Sequence, residues 1–480
     1  MPNRRQAIGR WSLSAGLFTL LTTTAAGQRP AAAGQRPPNV ILIVVDDLRW
    51  DDLRIEGHPF VETPNIDRLA REGVRFRNAF AATPLCSPSR ANILTGQYVH
   101  TNGILDNTAR DSTSHQLQTF ARPMADAGYA TAFFGKWHMG NDDTPRPGWT
   151  HWVAMKGQGE ANDPKLNIDG TRTEVKGYVT DVLTDHVVRF LDQSRGKPFM
   201  VYLAHKALHP NIVQRDDGST GAIPGQAEGF VAAPRHKGRY AQSVVPRRRN
   251  ATSPLGDKPA LQRHIDGVEP LGPSTATPDR DVRDRLEMLL AVDESLGRIE
   301  QQLRDMGELD RTVIMLTSDQ GYFYGEHYLN DERRLAYEEM ARIPLIVRYP
   351  AVARAGLRPA QLVQTIDIAP TILDLAGARD TVRRAGHSLV PLLRGQSPPW
   401  RHSIFLEYFS DTVFPRILHM AYRAVRTERY KYIHYLELQD MDELYDLQAD
   451  PYELTNLMNT ARGRAVLPSL RSELQRLSAG

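Results

Sequence analysis

Asn39-Val40-Ile41-Leu42-Ile43-Val44-Val45-Asp46-Asp47 carries an unbroken apolar run, Val40–Val45, that ends abruptly in two carboxylates. An apolar run of this length, with no polar alternation, reads as a strand covered on both faces, as in a parallel sheet. Ala130–Phe134, Phe199–Ala204 and Val313–Thr317 have the same texture. Helical spacing lies between them. Asn65–Glu72, Gln116–Ala127 and Thr180–Gln193 carry apolar residues at intervals of three and four, and Asp281–Met306 carries a long stripe from Leu286 to Leu303. Strands alternating with helices predict an α/β fold, a large mostly parallel sheet sandwiched by helices. Beyond about residue 400 the texture changes. Ser403–Tyr408, Tyr422–Arg426 and Lys431–Leu436 read as strands joined by hairpins, which predicts a smaller C-terminal α+β domain with an antiparallel sheet.

Each predicted parallel strand delivers polar side chains at its carboxyl end. Asp46 and Asp47 follow the first, and Lys136 and His138 the second; His209 follows the third after a short loop, and Asp319 and Gln320 follow the fourth. Any one alone reads as a cap or a surface residue. Together they sit where open α/β sheets bind ligands. Asp46, Asp47, Asp319 and the Gln320 amide offer oxygen only, which suits calcium or magnesium better than zinc. A cation also gives a reason for three carboxylates to converge.

The chain of 480 residues has a formal charge of +3, from 59 basic and 56 acidic residues, too balanced to indicate a nucleic-acid partner. The single cysteine, Cys86, excludes an internal disulfide. Taken alone it reads as a small buried apolar residue. Its neighbours, Leu85-Cys86-Ser87-Pro88-Ser89-Arg90-Ala91-Asn92-Ile93-Leu94-Thr95-Gly96, read as a helix with Ser87 as cap, Pro88 at the first position and Gly96 at the end. Cys86 is then predicted just before a helix N-terminus, where amide groups favour an anion, with Arg90 one turn on.

Cys-x-Pro-x-Arg followed by Ala-x-x-Leu-Thr-Gly resembles the signature of type I sulfatases, members of the alkaline phosphatase superfamily. The resemblance extends to Asn39–Asp47, Thr63–Leu69, Gly135-Lys136-Trp137-His138, Ser318-Asp319-Gln320-Gly321, Tyr337–Pro350 and Glu443–Leu457. It implies a hydrolase of sulfate esters, acting on a sulfated small molecule or saccharide. It implies that a formylglycine-generating enzyme oxidises Cys86 to Cα-formylglycine, whose hydrate is the nucleophile. Asp46, Asp47, Asp319, Gln320 and the modified Cys86 are implied as ligands of Ca2+, and Arg90 as the partner of the hydrate. Lys136 is implied to contact the sulfate, His138 to take a proton from the second hydroxyl, and His209 to serve the leaving oxygen. Two positions depart from the usual pattern. Gln320 stands where Asn is common. The lysine many relatives carry beyond the Gly-Glu-His segment is absent, leaving Arg333 or Arg334 as the substrate-binding cation. A phosphonate monoester or phosphodiester hydrolase of the same superfamily is the alternative enzyme. A catalytically silent glycan-binding protein is the alternative if Cys86 stays unmodified.

The segments divide as follows. Residues 1–38 read as a signal peptide and linker, with Arg4 and Arg5 before a short apolar run from Trp11 to Leu21 and small residues after it. Sec and twin-arginine export are both compatible. The protein is therefore expected to be periplasmic or secreted, with no membrane span. Residues 39–395 form the catalytic α/β domain and 396–480 the C-terminal subdomain. Residues 211–280, rich in Pro, Gly, Arg and Asp, read as a long surface insertion. Its run Arg247-Arg248-Arg249, near Lys237 and Arg239, is either a solvated loop or a rim that attracts a polyanion.

Overall fold

The computed structural model describes residues 36–409 and 413–479. The expected signal peptide lies outside the described residues, apart from its last linker positions. The large sheet has nine strands: β1 (Asn39–Val45), β2 (Val74–Arg75), β3 (Ala130–Lys136), β4 (His151–Met155), β5 (Lys165–Ile168), β6 (Thr171–Glu174), β7 (Phe199–His205), β8 (Thr312–Ser318) and β9 (Leu345–Arg348). Their order is β2-β9-β8-β1-β7-β3-β4-β5-β6. The central five, β8-β1-β7-β3-β4, are parallel, and both edges are antiparallel. The four predicted strands are thus the adjacent centre of the sheet, and the structure adds β4 beside them.

The unbroken apolar run of β1 has a simple cause. Ile41, Ile43 and Val45 pack into one apolar cluster, against helices α1 (Pro64–Glu72), α3 (Val179–Gln193) and α4 (Asp279–Asp305). Val40, Leu42 and Val44 pack into a second cluster on the other face, with Ile93 and Leu94 of α2 (Cys86–Thr95) and Ile368 and Ile372 of α5 (Ile368–Ala376). Alternate side chains leave a strand on opposite faces, so a strand covered twice carries no polar position.

Two local expectations change. The helix expected over Gln116–Ala127 is divided into Asp111–Gln116 and Ala121–Asp126, because Leu117 leaves the helical region and Pro123 is accepted only in a new first turn. Helix α2 begins at Cys86 itself, not after it. Leu85 is the extended preceding residue, and Ser87 does not cap because its hydroxyl faces His138. Gly96 ends the helix at φ 62°, as expected.

The C-terminal strands β10 (Ser403–Tyr408), β11 (Tyr422–Thr427), β12 (Tyr430–Tyr435) and β13 (Glu443–Asp446) form one antiparallel sheet in sequential order. Helix α6 (Ala461–Ser478) covers one face through Leu470 and Leu474. The other face packs on Phe80, Leu85, Phe323 and Tyr337, directly under the start of α2. A buried ionic net joins the two parts. The Lys431 ammonium lies 3.0 Å from Glu338 and 2.9 Å from Glu453, and the Lys258 ammonium donates to Tyr445 and to the Glu453 carbonyl, both at 2.7 Å. Removing one member of such a net strands its partners without water. Lys431→Met is expected to cost about 3–5 kcal/mol, read as a lower urea midpoint. An unchanged midpoint would show that the net contributes nothing to stability.

The segment 211–280 is not uniformly superficial. Asn211, Gln214, Asn250 and Lys258 are buried. Two of its three consecutive arginines are also committed. Arg247 pairs with Asp279, and Arg248 pairs with Asp51 at 2.8 Å over the ring of Trp50. This takes both away from the polyanion rim considered above.

Candidate active site

The strand ends bring their polar groups to one place. Asp46 is buried at the end of β1, and the Lys136 ammonium, from the end of β3, is paired with its Oδ2. Arg90, from the first turns of α2, places its guanidinium 2.8 Å from Asp319 Oδ2 and 3.5 Å from Asp46 Oδ1, and donates to the Lys136 carbonyl at 2.7 Å. Asp319 Oδ1 accepts from the Asp47 amide at 3.0 Å. The Gln320 amide nitrogen donates to Asp47 Oδ1 at 2.7 Å and to Cys86 Sγ at 3.0 Å. Arg333 pairs with Asp47 Oδ2 at 2.6 Å. Of the two arginines weighed from sequence, Arg333 is therefore the one whose guanidinium reaches Asp47, while Arg334 lies over the ring of Phe414.

Two site residues have left-handed backbones, Asp47 at φ 59° and His138 at φ 64°. Such conformations are uncommon outside glycine and collect at functional sites. Gly135, just before Lys136, is obligatory for another reason. A Cβ there would lie 2.0 Å from the Ala204 carbonyl of the neighbouring strand.

The electrostatics follow from burying many charges together. Burial alone would raise Asp46, but Lys136 and then Arg90 outweigh it and hold its carboxyl well below the usual range. Burial and the Asp46 charge push Asp319 up to about 7, and burial raises Asp47 against the pull of Arg333. Burial pushes the Cys86 thiol up to about 12, helped by the three aspartates and opposed by Lys136. An unmodified thiol here is almost wholly protonated near neutral pH, and so a weak nucleophile.

The donor set fits a hard divalent cation. Asp46, Asp47 and Cys86 present ligand atoms within 4.8 Å of one another. Gln320 Oε1 is buried with no hydrogen-bond donor, and Asp46 Oδ1 and Asp319 Oδ2 face the Arg90 guanidinium without a well-formed hydrogen bond. Buried oxygens without a donor are costly unless a cation takes them.

The two histidines are held as opposite tautomers. The Gln214 amide nitrogen donates to the Asn107 carbonyl at 2.8 Å, which turns Gln214 Oε1 toward His138 Nε2 at 2.5 Å and the Gln158 amide nitrogen at 2.6 Å. An oxygen facing Nε2 requires a proton there, so His138 exchanges its proton at Nδ1. That atom lies 3.2 Å from the Ser87 hydroxyl, next to Cys86 in the chain. In His209 the Nδ1 nitrogen faces the Pro210 carbonyl at 2.9 Å and carries the proton, leaving Nε2 for exchange. The Lys206 ammonium shares that carbonyl, also at 2.9 Å. Burial and then Lys136 push both imidazoles well below their usual range, so both rest neutral.

Sequence reasoning missed Gln214, Lys206 and Arg285. Lys206 directly follows β7, so the strand-end rule already pointed to it. Arg285 interrupts the apolar stripe of α4, stacks 3.9 Å from the Tyr322 ring and donates to the Asp47 carbonyl at 2.8 Å. Nothing in the local sequence marks Gln214.

Comparison with known proteins gives this geometry a family. The sulfatase family profile matches residues 38–378, and the profile described as N-sulphoglucosamine sulphohydrolase, C-terminal, matches residues 325–480. The chain belongs to the sulfatase family. An N-acetylglucosamine-6-O-sulfatase of Bacteroides thetaiotaomicron is 31% identical, over 94% of this chain and 88% of its own length. The human N-acetylglucosamine-6-sulfatase is 30% identical, over 94% and 86%. A solved structure in complex with its substrate, D-glucosamine-2-N,6-O-disulfate, superposes with a TM-score of 0.80 at 30% identity, covering 92% of this chain and 97% of the other. The phosphonate monoester hydrolase of Agrobacterium radiobacter superposes with a TM-score of 0.69 at 24% identity over 92% and 95%, which establishes a shared fold. This sulfatase is accordingly a hydrolase of sulfate esters, on the alkaline phosphatase-like fold expected from its sequence. Among its described residues no helix is long and apolar enough to cross a membrane.

Proposed function

We propose that this sulfatase removes sulfate from a sulfated glucosamine residue of a saccharide, with the 6-O position as its first target. The observation that carries the chemistry is the convergence of Asp46, Asp47, Asp319, Gln320 and Arg90 around Cys86. The sugar is supported by relatives at 30–31% identity that are named for 6-sulfated N-acetylglucosamine, and by the disulfated glucosamine bound in the similar structure.

Asp46, Asp47, Asp319, Gln320 and the modified Cys86 are the residues that would hold calcium. Bound there, calcium supplies positive charge to the sulfuryl oxygens, and formylglycine made from Cys86 supplies an oxygen nucleophile. The remaining work falls to this chain's own side chains. Lys136, Arg90 and Arg333 bring three further cations to the sulfate in a site sealed from water, where such charges act strongly. His209, neutral at rest with its proton on Nδ1, takes up a proton at Nε2 once the anionic substrate sits beside it, and gives that proton to the departing sugar oxygen. His138 takes a proton at Nδ1 by way of the Ser87 hydroxyl, whose single hydrogen has two acceptors in reach, His138 Nδ1 and the His138 carbonyl at 2.5 Å. Maturation requires a formylglycine-generating enzyme to reach Cys86 before folding closes the site, because the folded chain buries that side chain. Export to the periplasm or beyond follows from the N-terminal sequence pattern.

The test is release of inorganic sulfate from a panel of defined saccharides. Glucosamine 6-O-sulfate is expected to lead, followed by its 2-N,6-O-disulfate. Preference for a galactose sulfate or a uronate 2-O-sulfate would overturn the sugar assignment. Faster turnover of a phosphonate monoester than of its matched sulfate would overturn the proposed reaction.

The tautomer of His138 gives a separate expectation. Gln214→Leu removes the acceptor at Nε2, leaving His138 free to mix tautomers and lowering turnover about 10²-fold, the lower end of a general-base contribution. Nitrogen NMR of histidine-labelled protein, with the His138 signals assigned from a His138→Gln variant, checks this without activity. An Nδ1–H tautomer in the unaltered protein would refute it.

A further inference from the structure

A cavity away from the catalytic residues lies at the opposite end of α2. Its volume is about 940 Å3. Cys86 begins that ten-residue helix, and Gln97 and Tyr98, which line the cavity, follow its end. At 1.5 Å per residue the helix separates the two places by roughly 15 Å. None of the residues placed above in the active site lines this cavity.

Its wall has one sign of charge. Arg383, Arg384, Arg401 and Arg476 line it, and no aspartate or glutamate does. The carboxylates that hold these arginines stand behind the lining. Asp380 pairs with Arg384, Asp367 with Arg401 at 2.6 Å, and Glu473 with Arg476 at 2.6 Å. Arg383 is exposed and makes no ion pair among the described residues. Arg401 is oriented by three contacts: Asp367, the His387 Nδ1 nitrogen at 2.6 Å, and the face of Trp400, whose ring centre is 5.5 Å away. The indole of Trp400 is fixed by its own bond to the Leu362 carbonyl at 2.8 Å. The wall therefore combines an anchored aromatic ring, several proline surfaces and preset guanidinium forks. Aromatic faces suit the apolar faces of sugar rings, and guanidinium forks suit sulfate and carboxylate oxygens. The volume falls in the range of small-molecule sites of about 300–1,000 Å3.

We propose that this cavity is a second, non-catalytic site for an anionic saccharide. Its ligand class, a chain bearing sulfate groups, rests on the sulfated-saccharide reading of the active site. Its existence rests on the cavity alone. Occupancy by one part of a polymer would raise the local concentration of other parts near the enzyme, and so lower KM for long chains more than for short ones.

The experiment uses the full chain as Cys86→Ala, which cannot consume the ligand, titrated calorimetrically with a defined sulfated uronate–glucosamine disaccharide. Two sites per chain are expected. The double variant Arg383→Glu, Arg476→Glu, built in the same background, is expected to keep one site and weaken the other at least tenfold. The unsulfated disaccharide is expected to lose that second site. A single site per chain, a second site indifferent to the double variant, or equal affinity without sulfate would each overturn the proposal. Arg383 and Arg476 are both exposed, so the double variant should fold, and a melting curve matching the Cys86→Ala parent checks that. In the unaltered enzyme the same two substitutions should leave turnover of a small aryl sulfate unchanged. Absence of aryl sulfate turnover in the unaltered enzyme would instead count against the proposed reaction, which separates the two failures.

Discussion

Cys86→Ala is expected to reduce turnover of sulfate esters about 10⁶-fold, the loss seen when a covalent nucleophile is removed. The side chain is buried, and its only hydrogen bond given by the structure is from the Gln320 amide, which keeps Asp47 Oδ1 as a second acceptor. The substitution should therefore leave the melting temperature nearly unchanged, so lost activity cannot be blamed on lost fold. The same argument makes a sharper claim about the unmodified chain. With its thiol pushed up to about 12, chiefly by burial, protein produced without a formylglycine-generating enzyme should be folded and inactive. Mass spectrometry of the peptide containing Cys86 through Arg90 reads conversion directly. Full activity in protein whose Cys86 is entirely a thiol, or rates near the unaltered enzyme in Cys86→Ala, would end the proposed mechanism.

Asp319→Ala is expected to remove bound calcium, from one ion per chain to none detectable by elemental analysis, and to lower turnover about 10³-fold. Asp319 Oδ2 is buried against the Arg90 guanidinium without a well-formed hydrogen bond, and Oδ1 accepts from the Asp47 amide. Losing it also leaves the Arg90 guanidinium with Asp46 alone, at 3.5 Å. Dialysis of the unaltered protein against a strong chelator should reproduce the loss, and added calcium should restore it there but not in the variant. An Asp319→Ala protein that binds one calcium with unchanged affinity would remove Asp319 from the ligand set.

Much of this site was legible before any coordinates. The strand β1 announced itself because burial on two faces disfavours polar residues, a constraint written into the consecutive positions Val40–Val45. The carboxylates after it, and the polar residues after β3, β7 and β8, were legible because adjacent parallel strands end at one edge of the sheet. The start of α2 was less legible. Ser87 and Pro88 look like a cap and a first helical residue, but the Ser87 hydroxyl is drawn to His138, 51 positions away. The segment 211–280 was the least legible. Its composition is that of a loop, yet Gln214 reaches into the site and sets the tautomer of a histidine.

The amino-acid sequence by itself determined which residues form the central strands and which edge of the sheet gathers the polar side chains, and its motif singled out Cys86 as the proposed nucleophile's precursor. These depend on periodic burial and on residue types a few positions apart. Only the tertiary structure decided that Arg333 and not Arg334 reaches Asp47, that Gln214 orients His138, and that four arginines line one cavity whose wall carries no carboxylate. Those outcomes depend on where distant loops return to the sheet, and a side chain's hydrogen-bond partner across 76 or 286 residues leaves no periodic trace in the chain.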